Sequence, residues 1–240
     1  MAPTDFTDIW APMQVPELKV RDGYGTGPAR SRHKLSKDQI SPWTNLLDEI
    51  RRHTNRYYRK PRNHGPITRS ECYVVGNEIG VSGRFKKIGP GLTFGDPQAG
   101  TPLYGKSSRT VADSTVQCNK DPGTIWIVDE MKAPWTTGLN VTPKKLAKLL
   151  GQVARYMDDN ETLYGFYSTY NETVFLKRTG KYTFQVSPVI NHDSVSSHEF
   201  GQVSLRECFL AIAHMAGEKW RYSRRTGDSL TSGKWKVQAL

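Results

Sequence analysis

The apolar run at residues 124–128 (TIWIV) ends in three charged residues, Asp129, Glu130 and Lys132. A short unbroken apolar run bounded by turn residues is typical of a strand in the core of a sheet. Charged groups at the end of such a strand cost free energy unless they are paired, solvated or functional. This segment therefore predicts a core strand whose last residues carry chemistry.

Side chains of an extended strand alternate between its two faces. If the run stays extended, Trp126, Val128, Glu130 and Lys132 are predicted to share one face. A carboxylate and an ammonium group two residues apart on that face can address a single point. Asp113 lies on the preceding candidate strand, and the turn between the two strands can bring it beside Glu130.

Two carboxylates that converge are a common way to hold Mg²⁺ or Mn²⁺, with backbone carbonyls, water and phosphate as further ligands. Such an ion activates water and neutralises the charge that develops on a phosphate. Lys132 would then orient or deprotonate the water. The alternative is that Glu130 and Lys132 end a strand in solvent and that Asp113 is a turn residue.

A helix is predicted after this strand, with Thr142 as its cap and Pro143 at its first position. Gln152 interrupts the apolar set of this helix, which indicates that its side chain faces a polar cavity. Tyr156 follows four residues later and so shares the face of Gln152.

The remaining elements complete an α/β pattern. A first helix is predicted from Ser41, two strands are predicted around Asn171-Glu172, and a last helix is predicted with a capping box formed by Ser204 and Glu207. Helices and strands in this order predict a mixed central sheet flanked by helices. We expect an extended or disordered arm at 1–36, one domain at 37–222 and a basic tail at 223–240.

The chain of 240 residues carries 34 Lys and Arg against 23 Asp and Glu, a net charge of +11. A surplus of this size favours polyanionic partners, above all nucleic acid. In residues 218–236, basic side chains are interspersed with Trp and Tyr, a mixture that suits single strands. A basic soluble protein with a solvated tail is the alternative. The N-terminal segment lacks a basic and an apolar signal region, so we expect an intracellular protein of the nucleus or cytoplasm, with no membrane span.

The order and spacing of Asp113, Glu130-x-Lys132 and Gln152-x-x-x-Tyr156 resemble the PD-(D/E)xK nuclease superfamily in its QxxxY branch, the RecB-like or lambda-exonuclease-like nucleases. The segment 151–178 is also similar to nuclease-like domains of many uncharacterised fungal proteins. One departure is that Ala112 stands where the family usually has proline.

This resemblance implies a restriction-endonuclease-like α/β core and hydrolysis of phosphodiesters in DNA, with RNA as a further possible substrate. It implies that Asp113 and Glu130 bind Mg²⁺ or Mn²⁺, that Met131 offers its carbonyl, and that Lys132 is catalytic. Gln152 and Tyr156 would complete the catalytic set, and an acidic residue of the first helix, best matched by Glu49, would be a further ligand. Candidate nucleic-acid contacts are Arg155, Lys177, Arg178, Arg221, Arg224 and Arg225.

Two other classes of function remain open at this point. One is a catalytically inactive nuclease-like domain that binds nucleic acid or protein. The other is an effector-like protein whose target is another protein, for which the +11 charge is less suitable. The segment 189–199 contains Asn191, His192 and His198 but lacks the second half of an HNH-type metal site.

Overall fold

Helices cover both faces of a mixed β-sheet in the computed structural model of the chain. The structure describes residues 10, 12–13, 18–20, 33–57, 73–75, 92–95, 115–118, 125–136, 138–180, 183–226 and 238–239.

Within the described residues the α-helices are α1 (Leu46–Tyr57), α2 (Pro143–Asp159) and α3 (Leu205–Thr226), and a 3-10 helix spans Lys37–Gln39. The strands are β1 (Leu18–Val20), β2 (His33–Lys34), β3 (Ile40–Pro42), β4 (Tyr73–Val75), β5 (Leu92–Gly95), β6 (Thr115–Cys118), β7 (Ile125–Met131), β8 (Tyr164–Ser168), β9 (Glu172–Arg178), β10 (Phe184–Val186), β11 (Ile190–Asn191) and β12 (Gln238–Ala239).

The main sheet has the strand order β3-β10-β9-β8-β7-β6-β5, with β11 beside β9. The pairs β7–β8 and β10–β3 are parallel, and the other pairs in this sheet are antiparallel. Two-stranded pairings join β1 to β4 and β12 to β2. The predicted α/β class with a mixed central sheet flanked by helices is confirmed.

Each face of the main sheet has its own apolar cluster. One face, called the α1/α3 face here, packs Trp43 and Ile50 against Phe166, Phe175 and Phe209. The opposite face, called the α2 face, is covered by apolar residues of α2, which are Ala147, Leu150, Val153, Ala154 and Met157. Strand β7 lies between these two helix layers, so all seven of its residues are buried.

A register shift in β7 changes which of its side chains share a face. Gln117 pairs with Ile125 and Val116 pairs with Ile127, so Trp126 is an extra residue on its strand. A bulge of this kind locally reverses which face of the sheet the successive side chains point to. Trp126 therefore packs on the α1/α3 face, while Val128 packs on the α2 face. The prediction that Trp126 shares a face with Val128 and Glu130 is wrong for this reason.

The predicted ends of the helices agree with the structure at α2 and α3 and differ at α1. Thr142 caps α2 by accepting the backbone N–H of Lys145, and the Ser204 hydroxyl accepts the backbone N–H of Glu207 at 3.1 Å. The second half of the predicted capping box does not form, because the Ser204 N–H donates to the Ser196 hydroxyl at 2.9 Å. The prediction that α1 begins at Ser41 is wrong, because residues 40–42 form β3 and pair in parallel with β10. Tertiary pairing overrides the local cap pattern there.

The predicted N-terminal arm contributes to both apolar clusters. Met13 is buried on the α1/α3 face, and Leu35 is buried on the α2 face. Backbone hydrogen bonds attach these segments, from the Met13 N–H to the His192 carbonyl and from the Leu35 N–H to the Ala147 carbonyl. Leu18–Val20 and His33–Lys34 in this segment form strands, and Met13 and Leu35 belong to the core. No helix among the described residues has the length and apolar character needed to cross a bilayer.

A buried carboxylate links α1 to α3. Glu207 is 1% exposed and accepts hydrogen bonds from the hydroxyls of Thr54 at 3.1 Å and Ser196 at 2.5 Å. Burial raises the pKa of this carboxyl, and the two hydroxyls partly oppose the shift because they favour the charged form. The folded protein thus holds a proton on Glu207 at pH values where the unfolded chain has released it.

We predict that the Glu207 carboxyl makes the free energy of unfolding fall as the pH rises. This decrease in the free energy of unfolding begins near pH 4.5, the ordinary pKa of the carboxyl, and ends above the raised pKa that Glu207 has in the folded state. Glu207→Gln should remove this component, so its stability relative to the wild type should improve from pH 4 to pH 8 in urea unfolding. The exposed Glu199→Gln is the control. A Glu207→Gln difference that does not change with pH would contradict the prediction.

Close packing between α2 and β8 requires a glycine. A Cβ atom at Gly165 would lie 2.7 Å from Val153 Cγ1 and 2.9 Å from Met157 Sδ, well inside ordinary contact distance. We expect Gly165→Ala to lower the free energy of unfolding by about 1–3 kcal/mol, as overpacked cores do. Gly138→Ala is the matched control, since its Cβ would meet Glu172 at an ordinary 3.6 Å. Equal stabilities of the two variants would show that the α2–β8 contact is looser than described.

Candidate functional site

Glu130 and Lys132 form a buried ion pair at the carboxyl end of β7. The Lys132 ammonium nitrogen lies 2.5 Å from Glu130 Oε1, and the side chains are 9% and 1% exposed. The backbone N–H of Lys132 donates to the Ser168 carbonyl at 2.8 Å, which holds this position against the end of β8. The alternative that the two charges end a strand in solvent does not agree with this burial.

Glu130 belongs to a row of side chains that faces α2. It pairs with Tyr167 on β8, which in turn pairs with Val174 on β9. Tyr167 and Val174 are both part of the α2-face cluster, as is Val128, two residues before Glu130. The predicted sharing of one face by Val128, Glu130 and Lys132 is therefore confirmed.

Tyr167 is a neighbour of the candidate site that the sequence did not indicate. It is 3% exposed and lies directly across from Glu130 in the parallel pair. Its position depends on the register of β7 with β8, and no local spacing in the sequence encodes that register.

The other two residues at the end of β7 point away from this row. Asp129 and Met131 alternate with Glu130, and Met131 packs in the α1/α3-face cluster. Asp129 is fully buried and pairs with Phe166. The proposed contribution of Met131 concerns its backbone carbonyl, which the direction of its side chain does not affect.

Asp113 lies outside the described residues. The nearest described pair of β6 and β7 joins Thr115 to Val128. Asp113 precedes Thr115 by two positions in the sequence, and Glu130 follows Val128 by two.

The prediction that Gln152 and Tyr156 share one face of α2 is confirmed. The Gln152 Nε2 amide donates to the Tyr156 hydroxyl at 2.6 Å, and Tyr156 is 5% exposed within the α2-face cluster. The Gln152 side chain is half-buried, and its hydrogen bond to another described residue is this one to Tyr156. The pair lies on the helix that covers Val128, so it faces the same side of the sheet as Glu130.

The structure does not bring Glu49 to Glu130. Glu49 is on α1, where both its carboxylate oxygens accept hydrogen bonds from Lys177, at 2.7 and 2.8 Å. The Lys177 ammonium also lies 5.1 Å from the centre of the Trp43 ring, which belongs to the α1/α3-face cluster. Glu49 is therefore on the opposite face of the sheet from Glu130, where it cannot share a cation with it. Lys177, predicted to contact nucleic acid, is paired with Glu49.

Two further basic candidates have acidic partners. Arg155 makes a two-pronged pair with Asp159 one turn along α2, at 2.8 and 3.0 Å. Arg178 has a side chain only 3% exposed and lies 3.5 Å from Asp158. Burial lowers the pKa of the Arg178 guanidinium, and Asp158 opposes the shift.

The other three basic candidates are described only as positions on a helix. Arg221, Arg224 and Arg225 lie in the last turns of α3, where the backbone is described and the side chains are not.

Whether this site can bind a divalent cation depends on Asp113, which lies outside the described residues. Carboxylate and carbonyl oxygens, as in Glu130 and the Met131 backbone, are the ligands that Mg²⁺ prefers. Among the described residues, however, no group of three His, Cys, Asp or Glu side chains is arranged to hold a metal. Glu130 thus supplies one suitable ligand, and a full set requires Asp113.

Comparison with known proteins provides no relative for this chain. No protein-family model, no curated protein and no solved structure matches it.

We predict that the Glu130–Lys132 pair can be detected in the stability of the protein. Lys132→Met should lower the free energy of unfolding by about 3–5 kcal/mol, because it leaves the Glu130 carboxylate buried without the ammonium group. The double variant Glu130→Gln with Lys132→Met should recover most of this loss in urea unfolding.

Arg155→Met is the control for this prediction, since its pair with Asp159 is partly exposed and should contribute about 0.2–1 kcal/mol. If Lys132→Met costs no more than Arg155→Met, the two charges are solvated and the assignment of a buried pair is wrong.

Proposed function

We propose that this chain is a metal-dependent nuclease that hydrolyses phosphodiester bonds, in DNA more than in RNA. The observation that carries the proposal is the buried Glu130–Lys132 pair at the carboxyl end of the interior strand β7. An ion pair taken out of water in this way is a weak source of stability. Buried ionisable groups with specific charge partners are candidates for functional sites.

The proposed cation site is formed by the carboxylates of Asp113 and Glu130 and the backbone carbonyl of Met131. The register of β6 with β7 supports this set, since Thr115 pairs with Val128 and the two carboxylates stand two positions beyond that pair. When bound, Mg²⁺ or Mn²⁺ would lower the pKa of water and neutralise charge on the phosphate.

Lys132 is the proposed catalytic lysine. Its ammonium group is held at 2.5 Å by Glu130 and is shielded from solvent, so its position is defined before any substrate arrives. Lysine can act as a general base where its surroundings permit the neutral amine, which an arginine cannot do. Lys132 would orient the attacking water and, once released from the pair with Glu130 as a neutral amine, take the proton of that water.

Gln152 and Tyr156 support the proposal as a second pair on the same side of the sheet. The amide–hydroxyl hydrogen bond keeps both groups together on α2, and Tyr156 belongs to the cluster that includes Tyr167, the neighbour of Glu130. We propose on this basis that the α/β domain is a restriction-endonuclease-like core of the QxxxY type.

The surface that would hold nucleic acid is proposed at the end of α3 and in the tail. Arg155, Lys177 and Arg178 have carboxylate partners, which reduces the charge they can offer to phosphates. The candidates at 221–225 stand in a segment with several basic residues, and the chain has a surplus of +11.

The proposal predicts a specific pattern of activity among charge variants. Asp113→Asn and Glu130→Gln should each abolish Mg²⁺- or Mn²⁺-dependent cleavage of labelled DNA. Glu49→Gln is the matched control and should cleave normally, because Glu49 pairs with Lys177 on the other face of the sheet. Circular dichroism would confirm that each variant is folded.

Lys132→Arg tests the role of the lysine. The variant keeps a positive charge for Glu130 but cannot release a proton, so cleavage should slow by ~10²-fold or more. Binding of Mn²⁺, measured by calorimetry, should persist. Normal cleavage by Lys132→Arg would remove the proton-transfer role, and normal cleavage by Glu130→Gln would overturn the proposed function.

A catalytically inactive nuclease-like domain is the second candidate. The observation that favours it is that Lys132 already neutralises Glu130, which can stabilise the site without a metal. An increase in the thermal midpoint with Mg²⁺ in the wild type, absent in Glu130→Gln, would exclude this candidate. The effector-like alternative has no described feature in its favour.

A further inference from the structure

An open cleft lies beside the candidate site. Its volume is about 420 Å³, within the range of small-ligand sites. Pro134 and Gly138, from the segment after β7, form one side of it. The remaining lining residues are polar and contain no lysine or arginine; they are Thr169, Asn171, Glu172, Asn191, His192 and Asp193.

The cleft opens on the same face of the sheet as the Glu130–Lys132 pair. Glu130 and Val174 are in one row across β7, β8 and β9, and that row faces α2. Glu172 is two residues before Val174, and Lys132 is two residues after Glu130, so both lie on this face one step further along the sheet. With about 4.8 Å between neighbouring strands, the two positions are roughly 10 Å apart.

Glu172 is held in place while keeping capacity for a ligand. Its Oε2 atom accepts the backbone N–H of Leu139 at 2.6 Å. Among the described residues its Oε1 atom accepts no hydrogen bond, so a ligand can use it. The turn before it contains Tyr170, a buried residue with a positive φ of 75°. A bulky side chain in that conformation is strained, and such strain is concentrated at functional sites.

The backbones of the two asparagines in the cleft are fixed near this carboxylate. Asn191 pairs with Glu172 across the strands, and the backbone N–H of His192 donates to the Asn171 carbonyl at 2.9 Å. Carboxylates and amides with no lysine or arginine beside them repel phosphate and favour a group that is rich in hydrogen-bond donors.

We propose that this cleft binds an unstacked guanine base next to the phosphodiester that is cleaved, an inference that rests on the proposed nuclease function. The Watson–Crick edge of guanine carries two adjacent N–H donors, which one carboxylate accepts together; here Oε1 would take one and the second lone pair of Oε2, beside the Leu139 N–H, would take the other. Thymine and uracil present one N–H between two carbonyls, which a carboxylate repels. Adenine and cytosine each have a single donor group on this edge. Single-stranded bases are commonly read through this edge by side chains.

The test uses the full-length protein and uncharged nucleosides, which contain no phosphodiester and need no metal. Titrations with deoxyguanosine and thymidine should show deoxyguanosine binding ~10-fold more tightly or better, as expected for hydrogen bonds to a charged acceptor. Glu172→Gln keeps an oxygen for the Leu139 N–H but replaces the free acceptor with a donor. It should reduce deoxyguanosine binding ~10-fold or more, whereas the exposed Glu199→Gln should leave it unchanged.

Three outcomes would overturn the inference. They are equal affinity for both nucleosides, no effect of Glu172→Gln, and tighter binding of acetyl-arginine amide than of deoxyguanosine, which would identify a cleft for cationic peptides. None of these outcomes depends on cleavage. A protein that binds deoxyguanosine selectively but cleaves no DNA would therefore contradict the nuclease proposal alone.

Discussion

Enclosure of β7 on every side is the constraint on which the rest of the structure depends. Its edges pair with β6 and β8, and its faces are covered by the two helix layers, so a charge on it has no direct access to bulk water. Glu130 is stabilised there by the ammonium of Lys132, which the chain places two residues further along the same face. Because β8 runs parallel to β7, α2 must cross over between them, and this crossing brings Gln152 and Tyr156 to the face of Glu130.

The two faces of the sheet differ in what their charged groups do. On the α1/α3 face, Glu49 and Lys177 pair next to Trp43, and Glu207 is held by hydroxyls between α1 and α3. These contacts join helices to strands and leave little capacity for a ligand. On the α2 face, the Glu130–Lys132 pair and the free oxygen of Glu172 lie at the same end of the sheet, beside an open cleft. The chemistry that we propose is therefore concentrated on one face, and structural pairing on the other.

Ion pairs also change what can be inferred from the net charge of +11. Arg155, Lys177 and Arg178 are all candidate contacts for nucleic acid, yet each lies within 4 Å of a carboxylate. A sequence-level surplus speaks to association and solubility rather than to the position of a binding surface. Contacts with a polyanion must then come from basic residues that the fold leaves unpaired, and identifying them requires knowledge of which pairs form.

The sequence by itself determined the local elements of this protein. The caps at Thr142 and Ser204, the apolar run of β7 and the four-residue spacing of Gln152 and Tyr156 act within one or two turns of chain, so residue order is enough to predict them. Only the tertiary structure decided which residues meet. The bulge at Trp126, the pairing of residues 40–42 with β10, the capture of Glu49 by Lys177 and the alignment of Glu172 with Lys132 all depend on register between strands and helices far apart in sequence. A shift of one residue in register moves a side chain to the other face of a sheet, and local periodicity does not specify that register.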